Sequence, residues 1–173
     1  MRVRREVPAD VAAIRAVHAA AFAKPENPAE VPVEAGLVDA QRADPGWRPE
    51  LSLVAVTGDD TVVGHVVCTD GAIGTTAVLG LGPLGVLPAH QGRHVGHALM
   101  HAVLGAADAL GEPLVVLLGH TDYYPLFGFR PAAEYGITPP EPGWDSHFQV
   151  RTLSAYDPAL RGRFRFAAAF DGL

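Results

Sequence analysis

Residues 84–100 have the types and spacing that suit phosphate binding. Residues 84–87 are apolar and end at Pro88, a short polar loop follows with Gly92 and Gly96, and an apolar-periodic helix begins after it. The start of a helix presents backbone N–H groups that have no partner within the helix, together with the positive end of the helix dipole. Glycines let an anion approach the backbone closely. This order of elements therefore predicts a site for a phosphate or pyrophosphate group.

The loop lacks the residues of two common nucleotide-binding motifs. A Walker-type loop needs Gly-Lys-Ser/Thr to reach phosphates and a metal ion, and the chain's only lysine is Lys24. A dinucleotide fold places its glycine-rich loop after the first strand, and this loop comes too late in the chain. Neither class of nucleotide site is predicted.

Three histidines, His94, His97 and His101, lie at helical spacing beside the loop. Imidazoles at such spacing can hold a metal ion, but on a helical wheel these three fall opposite the apolar stripe, which indicates a solvated face. The acid of a His-Glu-x-x-His zinc motif is also missing, because Ala98 follows His97. We expect no metal site.

The spacing of apolar residues predicts one α/β (α+β) domain over residues 1–173 with a mixed sheet of six or seven strands. The all-apolar run 114–118 follows the helix and favours a parallel βαβ unit with strand 77–87. Glycines at 80, 82 and 85 predict a bulge or a close approach in that strand. The predicted strands are 2–7, 51–57, 61–69, 77–87, 114–118, 148–153 and 163–166, and the predicted helices are 11–22, 33–43 and 95–110.

Composition excludes several function classes. The net charge is −6 and the arginines are scattered, which argues against a nucleic-acid partner. No run approaches the ~18 apolar residues of a membrane span. Cys68 is the single cysteine, so no intramolecular disulfide is expected, and with no signal peptide at the start this favours the cytoplasm. The oligomeric state stays open, a homodimer included.

Two motifs together resemble the GNAT superfamily of acetyl-CoA-dependent N-acetyltransferases. The first is Leu-Gly-Val-Leu-Pro at 84–88, followed by the loop from Gln91 to Gly96. The second is Tyr124 followed by Gly128 and Phe129, in a Tyr-x-x-x-Gly-Phe pattern. The spacing between the motifs also fits, and in detail the chain looks like small bacterial acetyltransferases of unassigned substrate. The resemblance implies a mostly antiparallel sheet with helices on both faces.

The resemblance also implies which residues bind acetyl-CoA. His94 stands where the family usually has a loop glycine, so we expect the loop to serve only if the backbone of His94 has ordinary dihedral angles. Tyr124 is implied as the general acid that protonates the departing thiolate, with Tyr123 as its competitor. The implied cofactor-binding residues are Leu84, Gly85, Val86, Gln91, Gly92, Arg93, His94, Val95, Gly96 and His97.

The general base is not given by the resemblance. Some family members use a glutamate on the fourth strand, but residues 77–87 contain no carboxylate. His120, just before Tyr124, is placed best, and a chain of water molecules is an equal alternative. The other candidates are Asp122, Glu34 and His65.

The implied reaction is direct attack of a neutral primary amine, on a small molecule or an aminoacyl group, at the thioester of acetyl-CoA. A backbone N–H near Val86 would stabilise the oxyanion. The acceptor walls are expected from the first two helices and residues 136–147, with Trp47, Trp144 and Tyr135 available for stacking. The alternative, favoured by His94 and the missing carboxylate, is a CoA-binding sensor domain without transfer activity. A purely structural interaction domain is the third hypothesis.

Overall fold

Within residues 1–27 and 30–171, which the computed structural model describes, nine strands form a sheet and three α-helices pack on it. None of these helices is long and apolar enough to cross a membrane. The strands are β1 Arg2–Arg5, β2 Trp47–Val56, β3 Val62–Ile73, β4 Thr76–Val86, β5 Leu114–Leu118, β6 Arg130–Pro131, β7 Ile137–Thr138, β8 Phe148–Thr152 and β9 Gly162–Arg165. The helices are α1 Val11–Ala21, α2 Glu34–Ala43 and α3 Val95–Ala109.

The sheet is mostly antiparallel. Its main order is β1-β2-β3-β4-β5-β8-β6, while β9 pairs with the end of β3 and β7 pairs with β9. Only β4–β5 and β7–β9 are parallel among the described pairs, so β4, α3 and β5 form the expected βαβ unit. All seven predicted strands are present. The sequence misses β6 and β7 because two residues are too few to show an alternating pattern.

Helices cover both faces because side chains alternate along each strand. On β2, Leu53 and Ala55 belong to the core under α3, whereas Val54 and Val56 pack under α1 and α2. Helix α3 contributes residues of the apolar stripe that its periodicity predicts, including Val95, Leu99 and Val103. The expectation of helices on both faces is confirmed.

Strand β4 carries a bulge, as its glycines predict. Val66 pairs with Leu84 and Cys68 pairs with Leu81, so β4 has one more residue than β3 between these pairs, within 82–83. A bulge bends its strand and disturbs the ladder locally. The bulge therefore separates the half of β4 that joins β5 from the half that continues to the loop.

The pairing of β4 with β5 is short. The register joins Leu79 with Val115 and Gly80 with Val116, and stops there in the described chain. Beyond that point β5 stays paired with β8 through Leu118, while β4 stays paired with β3 through Val86. The two strands therefore separate at the carboxyl end of β5, and an opening forms between them.

Candidate active site

A cleft of about 1300 Å³ occupies the opening between β4 and β5. Residues 81–86 form one side, and the end of β5 with the following turn forms the other. Helices α1 and α2 and the C-terminal segment close the remaining walls. Lining residues include Ala21, Phe22, Glu34, Leu37, Gly85, Val86, Gln91, Gly96, His120, Tyr123, Tyr124, Glu141, Trp144, Arg165, Phe166, Phe170 and Asp171.

The predicted phosphate loop leads into the start of α3 beside the cleft. A smaller cavity of about 330 Å³ there is lined by Gln91, Gly92, His94, Gly96 and His97, among others. The first N–H groups of α3 have no intrahelical acceptor and face this end of the helix. The loop therefore has the geometry of an anion site.

His94 adopts the left-handed conformation, with φ 60° and ψ 18°. The ordinary dihedral angles that the sequence analysis required at this position are therefore not present. Histidine is one of the few non-glycine residues enriched in this region, although the conformation still costs about 1–2 kcal/mol. His94 therefore occupies a backbone conformation that glycine would adopt without steric cost.

Gln91 connects the loop to β4. Its Nε2 donates a hydrogen bond to the carbonyl oxygen of Val86 (3.0 Å). This contact fixes the end of β4 relative to the helix start. The side chain of Gln91 therefore holds the end of β4 in position in addition to lining the cleft.

The two adjacent tyrosines occupy different parts of the site. A Cβ placed on Gly96 would lie 2.7 Å from the Tyr123 hydroxyl, so Tyr123 sits over the start of α3. Tyr124 lies against Gly119 and Phe129, and burial, with Tyr123 nearby, raises the pKa of Tyr124 to about 12. Its phenol is therefore protonated at neutral pH and can donate a proton. Of the two, Tyr124 is the one beside the end of β5.

Residues 2–132 match the family model described as Acetyltransferase (GNAT) domain. The chain belongs to the GNAT acetyltransferase family. It is 34% identical over 142 residues to the uncharacterized N-acetyltransferase YjhQ of Escherichia coli K12, which covers 78% of each chain. It is 32% identical over 164 residues to the uncharacterized N-acetyltransferase YhbS of the same organism, covering 94% of this chain and 92% of that protein.

Two solved structures of GNAT proteins have the same fold. YhbS from Escherichia coli in complex with CoA superposes with a TM-score of 0.86 at 28% identity, covering 98% of this chain and 91% of that chain. A GNAT family acetyltransferase from Brucella melitensis in complex with acetyl-CoA gives 0.73 at 32% identity, covering 98% and 97%.

The candidate bases fall in different places in this GNAT fold. His120 and Glu34 line the cleft, on opposite walls. Asp122 is exposed and is not among the cleft-lining residues described, and His65 is fully buried beneath α1. The structure therefore brings His120 and Glu34 to the cleft with Tyr124, and leaves Asp122 and His65 outside it.

The first two helices and residues 136–147 line the cleft as expected, but only one of the three aromatic residues named for stacking does so. Trp144 lines the cleft, but Trp47 packs with the α1–α2 core under Arg42, and Tyr135 packs edge-on against Tyr156. The aromatic wall instead comes from Phe22 and two C-terminal phenylalanines that the sequence analysis did not assign. The alternation of phenylalanines after residue 163 is the signal that could have found Phe166.

His97 and His101 do not lie on a purely solvated face. Each ring meets the ring of Phe127 edge-on, at 5.1 and 5.3 Å, and His97 also contacts the rings of His94 and Tyr123. Within the described residues, no group of three or more His, Cys, Asp or Glu is placed to hold a metal ion.

A chain of polar side chains runs beneath α1, and the sequence analysis named only His65 among its members. His18 Nε2 lies 2.9 Å from His65 Nδ1, and His65 Nε2 lies 2.9 Å from Ser52 Oγ. Ser52 donates a short hydrogen bond to Glu6, whose carboxylate also accepts bonds from Arg42 Nε (2.8 Å) and Nη2 (3.1 Å). These residues come from five separate segments, so no local pattern reveals them.

Burial and hydrogen bonding set the protonation states of this chain. Burial lowers the pKa of His18 to about 3, and it also lowers the pKa of His65 despite the opposing effect of Glu6. For Glu6, burial raises the pKa, but hydrogen bonds from His65, Arg42 and Ser52 outweigh it and lower the pKa to about 2. At neutral pH both imidazoles are therefore neutral and Glu6 is ionised.

Acidification from pH 7 to pH 5 should destabilise the fold through these histidines. The pKa of His18 is lower in the folded than in the unfolded chain, so stability is full above about pH 6.5 and falls as the unfolded chain binds the extra proton. From pH 7 to pH 5, His18 alone should lower the free energy of unfolding by about 2 kcal/mol. Urea unfolding at the two pH values measures this change.

The variant His18→Gln should lose this part of the pH dependence, whereas His101→Gln, at an exposed position, should keep it. Glu6 titrates only below about pH 4.5, because its pKa is lowered, and therefore does not enter this window. Equal slopes for His18→Gln and the wild type would contradict a neutral buried His18.

Replacing His94 with glycine should stabilise the fold. Glycine adopts φ 60° without steric cost, and after its larger unfolded-state entropy the expected gain is about 0.5–1 kcal/mol. His97→Gly, inside α3, should instead lower the free energy of unfolding, by about 0.3–0.5 kcal/mol from helix propensity alone. Urea midpoints at constant slope measure both, and a destabilised His94→Gly would show that the imidazole contributes more than its backbone costs.

Proposed function

We propose that residues 1–173 are a single N-acetyltransferase domain that moves the acetyl group of acetyl-CoA to a primary amine of a small molecule or aminoacyl group. The observation that carries the proposal is the separation of β4 from β5 directly beside the loop and the first turn of α3. A thioester directed into this opening would meet Tyr124 on one side and the acceptor walls on the other. Attack is direct, with no acetyl-enzyme intermediate.

Acetyl-CoA is the donor expected of a GNAT acetyltransferase. The CoA and acetyl-CoA complexes of the two similar proteins support this assignment. The pyrophosphate is assigned to the backbone of Gly92 to His97, including Arg93 and Val95, at the positive end of α3. The amides of the acyl arm are assigned to the free edge of β4 at 84–86. A backbone N–H near Val86 is the proposed donor to the oxyanion.

Tyr124 is assigned as the general acid. It lines the cleft beside the end of β5, and its raised pKa keeps the phenol protonated. As the C–S bond breaks, the hydroxyl gives its proton to the CoA sulfur. Tyr123, over Gly96, is assigned a role in binding CoA at the loop and none in proton transfer.

His120 is assigned as the group that removes a proton from the incoming ammonium ion. Amines arrive as ammonium ions, which cannot attack a carbonyl until they lose a proton. His120 is exposed on the cleft wall, where it can pass that proton to solvent. It therefore prepares the nucleophile before the chemical step.

The walls of the cleft favour a cationic amine with an apolar body. Three carboxylates, Glu34, Glu141 and Asp171, face one Arg165 around the cleft, and rings of Trp144 and the phenylalanines form the apolar part. Carboxylates attract the ammonium form, and aromatic faces attract cations as well as apolar groups.

The single Cys68 is buried and its thiol pKa is raised by burial, which suits a reducing cytoplasm.

Thiol release from acetyl-CoA with a panel of amines tests the transfer activity. We expect release with primary amines that carry aromatic or aliphatic groups, and Glu34→Gln should raise their KM about tenfold by removing a charged partner. A rise of the thermal midpoint with CoA but no release with any amine would favour the sensor domain. Failure of CoA to raise the midpoint would contradict both.

Tyr124→Phe should lower kcat by about 10²-fold or more, because the thiolate then leaves without a proton donor. The Kd for CoA should change little. Tyr123→Phe, the matched variant, should change the Kd for CoA more than it changes kcat. A larger kcat loss in Tyr123→Phe than in Tyr124→Phe would transfer the acid role to Tyr123.

A further inference from the structure

Three aromatic rings form one corner of the cleft. The ring centroid of Phe166 lies 4.8 Å from that of Phe170, with 33° between the planes, and 6.5 Å from that of Trp144, with 62° between the planes. All three residues line the cleft and keep part of their surface exposed. Because Trp144 is steeply inclined to Phe166, the rings form walls in more than one plane. We call Trp144, Phe166 and Phe170 the aromatic corner.

Backbone contacts hold the aromatic corner in place. A Cβ placed on Gly80 would lie 3.0 Å from Cδ1 of Phe166, so the Phe166 ring lies directly over β4. The carbonyl oxygen of Trp144 accepts hydrogen bonds from the N–H groups of His147 and Phe148, at 2.9 Å each. The corner is therefore a wall that the fold itself builds.

Two carboxylates flank the aromatic corner along the chain. Glu141 precedes Trp144 in the same loop, Asp171 directly follows Phe170, and both line the cleft. Among the residues that the structure describes, neither carboxylate forms an ion pair. The corner therefore combines aromatic faces with negative charge that has no counter-charge in the described chain.

Two arginines of β9 approach this wall, and both contact backbone carbonyl groups. Arg163 donates to the carbonyl oxygen of Pro140, and Nη2 of Arg165 lies 3.4 Å from the carbonyl oxygen of Gly74, in the turn between β3 and β4. Neither guanidinium is at ion-pair distance from a carboxylate of the described residues. Aromatic faces with carboxylates beside them are the surroundings that favour a cation.

The aromatic corner does not suit the nitrogen that is acetylated. That nitrogen must lose its proton before it attacks, whereas aromatic faces and carboxylates stabilise the charged form. Position gives the same answer, because Phe166 lies over Gly80 and the reacting centre is assigned near Val86. Between these residues a strand rises on the order of 10–20 Å, at ~3.3 Å per residue. The corner therefore meets a different part of the acceptor.

We propose that the acceptor is an elongated small-molecule amine with a second cationic group, and that the aromatic corner, with Glu141 and Asp171, binds that group. This inference rests on the proposed function and names the substrate class of the same cleft. The reacting amine lies at the other end of the molecule, beside His120 and Tyr124. The second group keeps its charge throughout and takes no part in the transfer.

A neutral apolar group suits this corner less well than a cation. It would cover Glu141 and Asp171 without giving them a counter-charge, and removing water from an unpaired carboxylate is unfavourable. A cationic group gives the carboxylates a partner, while its methyl or methylene groups contact the rings. Charge, rather than apolar area, therefore distinguishes the two classes of acceptor.

The first test compares two series of primary amines with the wild-type protein. One series ends in a trimethylammonium group and the other in a neutral tert-butyl group of the same shape, with methylene chains of matched and increasing length. Assays at alkaline pH, where both reacting amines are neutral, remove the effect of the second charge on their pKa. We expect kcat/KM, from thiol release, to be about tenfold higher for the cationic amine at the best chain length. Equal or higher kcat/KM for the neutral amine at every length overturns the proposal.

Variants of Trp144 separate the aromatic face from apolar area. Trp144→Leu keeps an apolar side chain without a π face, whereas Trp144→Phe keeps a weaker one. The preference for the cationic over the neutral amine should fall from wild type to Trp144→Phe to Trp144→Leu, by about fivefold in all. The same two substrates are used with every variant, so differences in their intrinsic reactivity cancel. An unchanged preference in Trp144→Leu overturns the proposal.

Glu141→Gln tests the flanking charge without removing a ring. It should lower the preference for the cationic amine about three- to fivefold, and high salt should reduce this loss because salt screens exposed charges. The matched control is Glu134→Gln, which removes an exposed carboxylate that pairs with Arg130 and is not among the cleft-lining residues described. Glu134→Gln should keep the preference. A Glu141→Gln variant with the wild-type preference overturns the proposal even if Trp144→Leu does not fold.

Failure of this inference differs from failure of the proposed function. A wild type that acetylates the neutral and the cationic amines equally well retains the proposed function and refutes only the second cationic group. A wild type that acetylates no amine refutes the proposed function, and this inference with it.

Discussion

The site depends on the end of hydrogen bonding between β4 and β5. Pairing stops after Gly80 and Val116, and the bulge at 82–83 follows at once on β4. Backbone groups at a free strand edge need partners, and a ligand with amides can supply them in the manner of an added strand. The same separation directs the start of α3, the end of β5 and the turn with Tyr124 toward one opening. The strand register therefore creates the cleft, and the particular side chains determine only what lines it.

Alternation along β4 gives its last residues two different tasks. Leu84 and Val86 pack with the core under α3, which fixes the strand, while Gly85 faces α1 and has no side chain. The space at Gly85 is filled by the imidazole of His18. Burying polar groups is costly unless they are hydrogen-bonded, and the chain from Glu6 to His18 satisfies all of its nitrogen and oxygen contacts except Nδ1 of His18. The single unsatisfied atom of this chain lies against Gly85.

The sequence predicts those parts of the fold that are local and periodic. The βαβ unit and the two motifs are read directly, because a strand, a glycine loop and a helix with a strong apolar stripe follow one another from 77 to 118. Trp47 and Tyr135 were misassigned because residue type does not reveal which way a ring faces. The left-handed backbone of His94 has no sequence signal for a non-glycine residue. Glu6, His18, Ser52 and His65 are far apart in sequence, so only the folded structure brings them together.

Two features of the sequence favoured an inactive sensor domain: His94 in the loop and the absence of a carboxylate on β4. The structure describes the surroundings of both. His94 has a left-handed backbone conformation, which glycine would adopt without steric cost. At position 85 of β4 a side chain would collide with the imidazole of His18, so the strand can carry no carboxylate at that position. The absence of a carboxylate at this position therefore follows from the packing of α1 against β4, and it carries no information about catalysis.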